Sequence, residues 1–300
     1  MLWPDKTILI TGCSSGIGIE TARALADTGA TLYLTARDLE KAKKALGSIL
    51  HSPKVHLLEL DLNSLASVRS CATKFLASSP NLNILIANAG TMANSEGQTA
   101  DGFETQFGTN HLAHFLLIQL LLPTLQASSS TSFQSRVVVL SSSSHRRAGI
   151  NFSNLNLQGE YNPWVAYGQS KTANLYTASE IERRYGGKGV HAWSVHPGLI
   201  MTGLAKHVPS EMLESWAQNL EVGKVVKSVE QGAATTVWAA VARELEGNGG
   251  KYLENCQIAK PIQNERVEEW DPGYLPYAYD EEKEGLLWEK SLDLVKPFLA

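Results

Sequence analysis

The sequence predicts a doubly wound α/β domain, a seven-stranded parallel sheet with helices on both faces. Three observations carry that expectation. Short apolar runs such as "KTILITG", "LNILIANAG" and "RVVVLSS" are too continuous for strands with one solvated face. They alternate with longer amphipathic segments, the rhythm of a parallel sheet built from strand and crossover helix. The first run leads directly into "TGCSSGIG", a glycine-rich turn placed where a helix should begin.

Taken in order, strands are expected in "KTILITG", "TLYLTAR", "KVHLLELDL", "LNILIANAG", "RVVVLSS", "GVHAWSVHPG" and "GGKYLENCQIA". The first helix is expected from about Ile19 to Thr28, with Ala22, Leu25 and Ala26 on its apolar face and Gly29 ending it. "FGTNHLAHFLLIQLLL" and "AYGQSKTANLYTASEIERR" read as two further helices, and "ASSSTSFQS" as a polar loop. One domain is expected over residues 1–258, with a substrate segment at about 199–227. Residues 259–300 form a C-terminal extension packed on it, rich in acids, prolines and aromatics (Trp270, Tyr274, Tyr277, Tyr279) and ending in a helix from about Asp280.

Composition narrows the function classes. Three hundred residues suffice for a large core, and a formal net charge of −4 argues against a nucleic-acid partner, because phosphate binding needs a basic surface. Cys13, Cys71 and Cys256 are too few and too scattered for a disulfide framework or a zinc site, which points to a reducing, cytoplasmic setting. No basic stretch opens a leader, and "FLLIQLLLPTL" is too short to span a bilayer, so no integral membrane anchor is expected. His111 and His114 lie three apart in a helix, but nothing completes a metal set around them, so packing is the expected use and no metal is predicted.

The glycine turn can hold a dinucleotide. Gly12, Gly16 and Gly18 let the backbone approach a ligand, and the helix N-terminus presents unpaired N–H groups to a pyrophosphate. Arg37 ends the second strand where the adenosine ribose would lie, and an arginine there suits the 2′-phosphate of NADP; the neighbouring Asp38 pulls the other way. Tyr167 and Lys171 stand four apart, on one helix face, where a cation can lower the pKa of a phenol. Asn110 is an amide within an apolar helix and needs a partner.

With these motifs in register, the chain resembles the short-chain dehydrogenase/reductases. The likeness rests on "TGCSSGIG", "LDL" at 60–62, "NAG" at 88–90, Asn110 in "GTNHLAH", the serines of "VVVLSSSS", "YGQSK" and "HPG" at 196–198. Farther on, "QGAATTVWAAVARELEGNGGKYLENC" is similar to the branch holding retinol dehydrogenases and the WW-domain oxidoreductase. The resemblance implies a Rossmann-type fold that binds NADP(H) and interconverts a carbonyl and a secondary alcohol, with reduction favoured. It implies Tyr167 as general acid/base, Lys171 as ligand of the nicotinamide ribose, Ser142 on the substrate oxygen and Asn110 holding a water that relays protons to the lysine. The implied cofactor set is Gly12, Ser14, Ser15, Gly16, Ile17, Gly18, Arg37, Asp61, Leu62, Asn88, Ala89, Gly90, Tyr167, Lys171, Pro197, Gly198, Ile200 and Thr202.

Four serines run from Ser141 to Ser144, and Ser144 rivals Ser142 because alternate strand residues share a face. Substrate contacts are expected from Ser142, Ser144, Trp164, Tyr167, Leu199 and Leu204, with Met201, Met212, Leu213 and Trp216 adding apolar surface for a hydrophobic small molecule. A catalytically silent NADP-binding scaffold would keep the glycine turn and damage the tetrad, and here Asn110, Ser142, Tyr167 and Lys171 are all present. An epimerase or dehydratase on the same cofactor site is the other alternative. A homodimer through the helices that begin near Asn110 and Tyr167 is a possibility that the C-terminal extension can block.

Overall fold

The computed structural model describes residues 2–263 and 271–299, so Trp270 lies outside the described residues. In chain order the elements are β1 (Thr7–Thr11), α1 (Ile17–Ala26), β2 (Thr31–Ala36), α2 (Leu39–Leu46), β3 (Val55–Glu59), α3 (Leu65–Ser78) and β4 (Ile84–Ala87). Next come α4 (Thr105–Phe107), which passes through one π-turn at Gly108–Leu112 into α5 (Ala113–Ser128), then β5 (Ser135–Leu140), α6 (Pro163–Tyr185) and β6 (Val190–His196). The last part holds β7 (Leu199–Ile200), α7 (Ser210–Gln218), α8 (Leu220–Val225), β8 (Val226–Lys227), α9 (Val229–Val241), β9 (Lys251–Glu254), β10 (Gln257–Ile258) and α10 (Glu281–Val295).

The main sheet runs β3-β2-β1-β4-β5-β6-β9-β10, parallel except at its last strand. Alternation along each strand fills a core on each face, as continuous apolar runs require. Leu9, Leu85, Val137 and Val139 join Phe75, Phe115 and Leu175 on one side. Ile8, Ile10, Leu32, Leu34, Ile86 and Val138 join Leu25, Trp193 and Ala239 on the other.

Seven parallel strands were expected, and the eighth strand is a correction. The run "GGKYLENCQIA" is a hairpin, because Asn255 and Cys256 both take positive φ, 52° and 54°, and turn β10 back antiparallel on β9. A second small sheet pairs β7 with β8 in parallel and ties together the two ends of the 199–227 segment.

The C-terminal helix α10 lies on α5 and α6. Trp288 packs edge-on against Phe115 at 4.9 Å, Ser291 Oγ meets His111 Nε2 at 2.8 Å, and Arg183 pairs with Glu284. Ahead of it, the Tyr277 hydroxyl donates to the carbonyl of His145 (2.6 Å), and Tyr279 accepts the Tyr252 N–H (2.7 Å). Among the described residues no helix is long and apolar enough to cross a membrane.

Candidate active site

One cleft of about 1550 Å³ runs along the C-terminal ends of the strands and reaches every residue of the expected cofactor set. At one end lies the glycine turn. Gly12 has φ +79°, and a Cβ there would sit 2.8 Å from Ala89, while a Cβ on Gly18 would meet the Gly12 carbonyl oxygen at 2.3 Å and Asn88 Nδ2 at 2.7 Å. Only glycine lets β1, α1 and the 88–90 loop come this close. Gly16 caps α1 with no side chain over its first N–H groups, leaving them directed at the cleft as an anion site. Asn88 Oδ1 is buried with no partner among the described residues. These features fit a dinucleotide.

At the adenosine end, Arg37 and Lys41 are exposed and line the cleft. Asp38 lines it too, but its Oδ1 accepts the Lys41 N–H (2.9 Å) and caps α2. Lys41 was missed in the sequence; its signal is a basic residue four places beyond Arg37 in the first turn of α2. Asp61 and Leu62 form the neighbouring wall, and Pro197, Gly198, Ile200 and Thr202 the opposite one, where Thr202 Cγ2 would lie 3.4 Å from a Cβ on Gly16.

Ser142, Tyr167 and Lys171 meet at the middle of the cleft. The strand stops at Leu140 and the chain turns into a 3₁₀ segment over Ser143–Arg147, so strand alternation does not extend to Ser144. The four serines consequently separate. Ser141 Oγ donates to the Lys171 carbonyl (2.7 Å), Ser142 Oγ accepts the Ser144 N–H (3.1 Å), and Ser142 is the serine whose side chain favours the ionised form of the Tyr167 phenol. Lys171 Nζ donates to the Leu140 carbonyl (3.0 Å) and stands 5.5 Å from the Tyr167 ring.

The charges differ from the sequence expectation. Burial pushes the Tyr167 phenol up to about 12, opposed only by the Ser142 side chain, and burial pulls the Lys171 ammonium down to about 7. Lys171 therefore does not depress the phenol. Both groups are enclosed, and removing water penalises the charged form of each more than their mutual attraction repays.

Asn110 is fully buried in the π-turn and its amide works as a bracket. Oδ1 accepts the Thr91 N–H (2.8 Å), and Nδ2 donates to the Thr91 carbonyl (2.9 Å) and to Ser170 Oγ (2.9 Å). A Cβ on Gly90 would lie 3.1 Å from Asn110 Oδ1 and 3.6 Å from Lys171 Nζ, so the bracket and the lysine share one small volume.

Beyond Tyr167 the cleft is walled by Ser144, Trp164, Leu199, Met201, Leu204 and Trp216; Met212 and Leu213 are not part of that wall. Trp164 faces Trp216 at 6.2 Å, and the Arg147 guanidinium lies 5.3 Å over Trp164. Sequence reasoning did not name Asp271, Pro272 and Leu275 of the C-terminal extension, which complete this end, because no periodicity connects them with a wall formed so much earlier in the chain.

A model of the short chain dehydrogenases matches residues 6–213. The chain belongs to the short-chain dehydrogenase family. It is 51% identical to the short-chain dehydrogenase/reductase prx1 of Penicillium rubens over 97% of this chain and 85% of that protein. It is 40% identical to retinol dehydrogenase 12 of Mus musculus, over 89% of this chain and 84% of the relative. Among solved structures, the Pseudomonas aeruginosa RhlG/NADP active-site complex superposes with a TM-score of 0.67 at 25% identity, covering 84% of this chain and 94% of that one. The dehydrogenase is thus a member of the retinol dehydrogenase branch and a nicotinamide-dependent oxidoreductase.

Proposed function

We propose that this short-chain dehydrogenase uses NADP(H) to interconvert a carbonyl and a secondary alcohol on a hydrophobic small molecule, with Tyr167 as the acid/base. One observation carries the reading: Ser142 and Tyr167, with Lys171 beside them, line the same continuous cleft as the glycine turn, Arg37 and Lys41. The nicotinamide supplies or accepts hydride when bound. Arg37 and Lys41 would hold a 2′-phosphate, the N-terminus of α1 the pyrophosphate, and Lys171 the adjacent ribose.

A phenol held near 12 is protonated at neutral pH, which suits it to donate in the reductive direction. Ser142 Oγ then holds the substrate oxygen and stabilises charge that develops on it. As the phenol gives up its proton, Lys171, balanced near 7, can return one. Asn110 keeps Thr91 and Ser170 fixed around that lysine. The substrate's body lies against the apolar side chains of Trp164, Leu199, Leu204 and Trp216.

α10 covers the face of α5 and α6, so we take that face to be closed to a second copy of the chain. Three unpaired cysteines favour a cytoplasmic setting.

The test is cofactor consumption over a panel of hydrophobic ketones, aldehydes, quinones and secondary alcohols with NADPH, NADH and their oxidised forms, beside Tyr167→Phe. Turnover with NADPH that vanishes in the variant supports the reading. Activity surviving in Tyr167→Phe refutes the assignment of the acid. Replacing Arg37 and Lys41 together by alanine should weaken NADPH binding by about tenfold or more with NADH nearly unaffected.

A further inference from the structure

The apolar helix that carries Asn110 also carries His114, which is 1% exposed and absent from the chemistry above. Its ring makes two hydrogen bonds. Nε2 lies 2.9 Å from Thr11 Oγ1, at the end of β1, and Nδ1 lies 3.0 Å from the main-chain carbonyl of Asn110.

The direction of these bonds follows from the partners. Thr11 Oγ1 already accepts the N–H of Asn88 (2.9 Å) and of Ala89 (3.0 Å), which engages both of its lone pairs. Its one proton must therefore go to His114, so Nε2 is the acceptor. The ring proton then sits on Nδ1 and is donated to the Asn110 carbonyl. The tautomer is fixed by geometry, and the imidazole must be neutral to hold it. Burial supports this by pulling the His114 pKa down to about 4.

We infer that His114 is a positioning residue: its Nδ1–H tautomer forms a strut from the 88–89 backbone of the cofactor cradle, through Thr11, to the carbonyl of Asn110 in the π-turn. The strut sets where the turn stands relative to the glycine loop. The turn in turn sets Thr91 and Ser170 through the Asn110 amide, and Ser170 Oγ donates to the Tyr167 carbonyl (2.8 Å). One connected set of bonds thus spans cofactor loop, lysine pocket and the helix bearing the tyrosine. π-turns interrupt helices mostly at functional positions, and this one is held open from outside by a side chain one turn later.

Two measurements test the strut. Nitrogen-15 NMR of histidine-labelled wild-type protein at neutral pH, with His114 assigned by its loss in His114→Gln, should show a proton on Nδ1 and none on Nε2. A ring protonated on Nε2, charged, or averaging between tautomers overturns the inference. The second arm rests on the proposed function and uses whichever carbonyl the wild type reduces fastest with NADPH. His114→Leu should lower turnover about tenfold or more while NADPH affinity stays within about threefold, because Thr11 still serves Asn88 and Ala89.

His114→Gln can donate to Asn110 and accept from Thr11, and it should recover turnover to within about threefold of wild type. Thr11→Val, which removes the middle of the strut and leaves two cradle N–H groups unpaired, should weaken NADPH binding as well as turnover. Full turnover in His114→Leu, or His114→Gln as slow as His114→Leu, sinks the proposal. If no carbonyl is turned over, the functional reading fails while the tautomer still decides the strut.

Discussion

Acidification from pH 7 to pH 5 should strongly destabilise this dehydrogenase, and three of its buried histidines carry most of the effect. His111, His114 and His145 are each at most 1% exposed, and burial pulls their pKa values from 6.5 to about 3, 4 and 4. A depressed histidine pKa means that the unfolded chain binds protons the folded chain refuses, so stability falls as pH drops below 6.5 and stops falling below the folded pKa. At pH 5 each ring is nearly fully protonated when unfolded and about a tenth or less when folded. Each therefore withdraws about 2 kcal/mol between pH 7 and pH 5, and the three together roughly 6 kcal/mol. That is comparable with the whole stability of many domains, about 5–15 kcal/mol.

Glu104, Glu254 and Glu284 act in the opposite sense, since burial raises their pKa values and the folded chain gains protons first. They offset part of that figure, while His196, which burial also pulls down to about 3, adds to it. Urea unfolding at pH 7, 6 and 5, with proton uptake on unfolding measured alongside, is the assay. Uptake of roughly two to three protons per molecule at pH 5 is expected. Unfolding free energies that agree within about 1 kcal/mol at pH 7 and pH 5, or uptake below about one proton, would refute the reasoning.

Three substitutions should have distinct outcomes. Lys171→Met should abolish turnover yet raise thermal stability, because the folded ammonium is disfavoured with a pKa near 7 against 10.5 unfolded; the gain should be largest below pH 7 and shrink towards pH 10, and a gain independent of pH would contradict it. Gly18→Ala forces a Cβ to 2.3 Å from the Gly12 carbonyl oxygen, so we expect a loss of about 1–3 kcal/mol and weakened NADPH binding, read by thermal shift and fluorescence titration. Tyr277→Phe removes the bond to the His145 carbonyl, which still accepts Thr172 Oγ1 (3.1 Å), so urea unfolding should show a cost of only about 1 kcal/mol.

The sequence by itself determined the parallel part of the sheet, the glycine turn and the pairing of Tyr167 with Lys171 on one helix face. Those features are local: apolar runs, glycines where backbones must touch, and Tyr167 and Lys171 one helical turn apart. It also placed the C-terminal helix at about Asp280, where α10 begins one residue later. Tertiary structure decided the rest, because the rest depends on what lies opposite each side chain. The choice among four serines needed the end of β5 at Leu140, and the engagement of Asp38 needed the cap of α2. The charge states of Tyr167 and Lys171 reversed the sequence expectation, since spacing along a helix gives distance and says nothing of how much water remains. The link from Thr11 to His114 spans 103 residues of chain, and only folding brings that hydroxyl, that imidazole and the carbonyl of Asn110 into line.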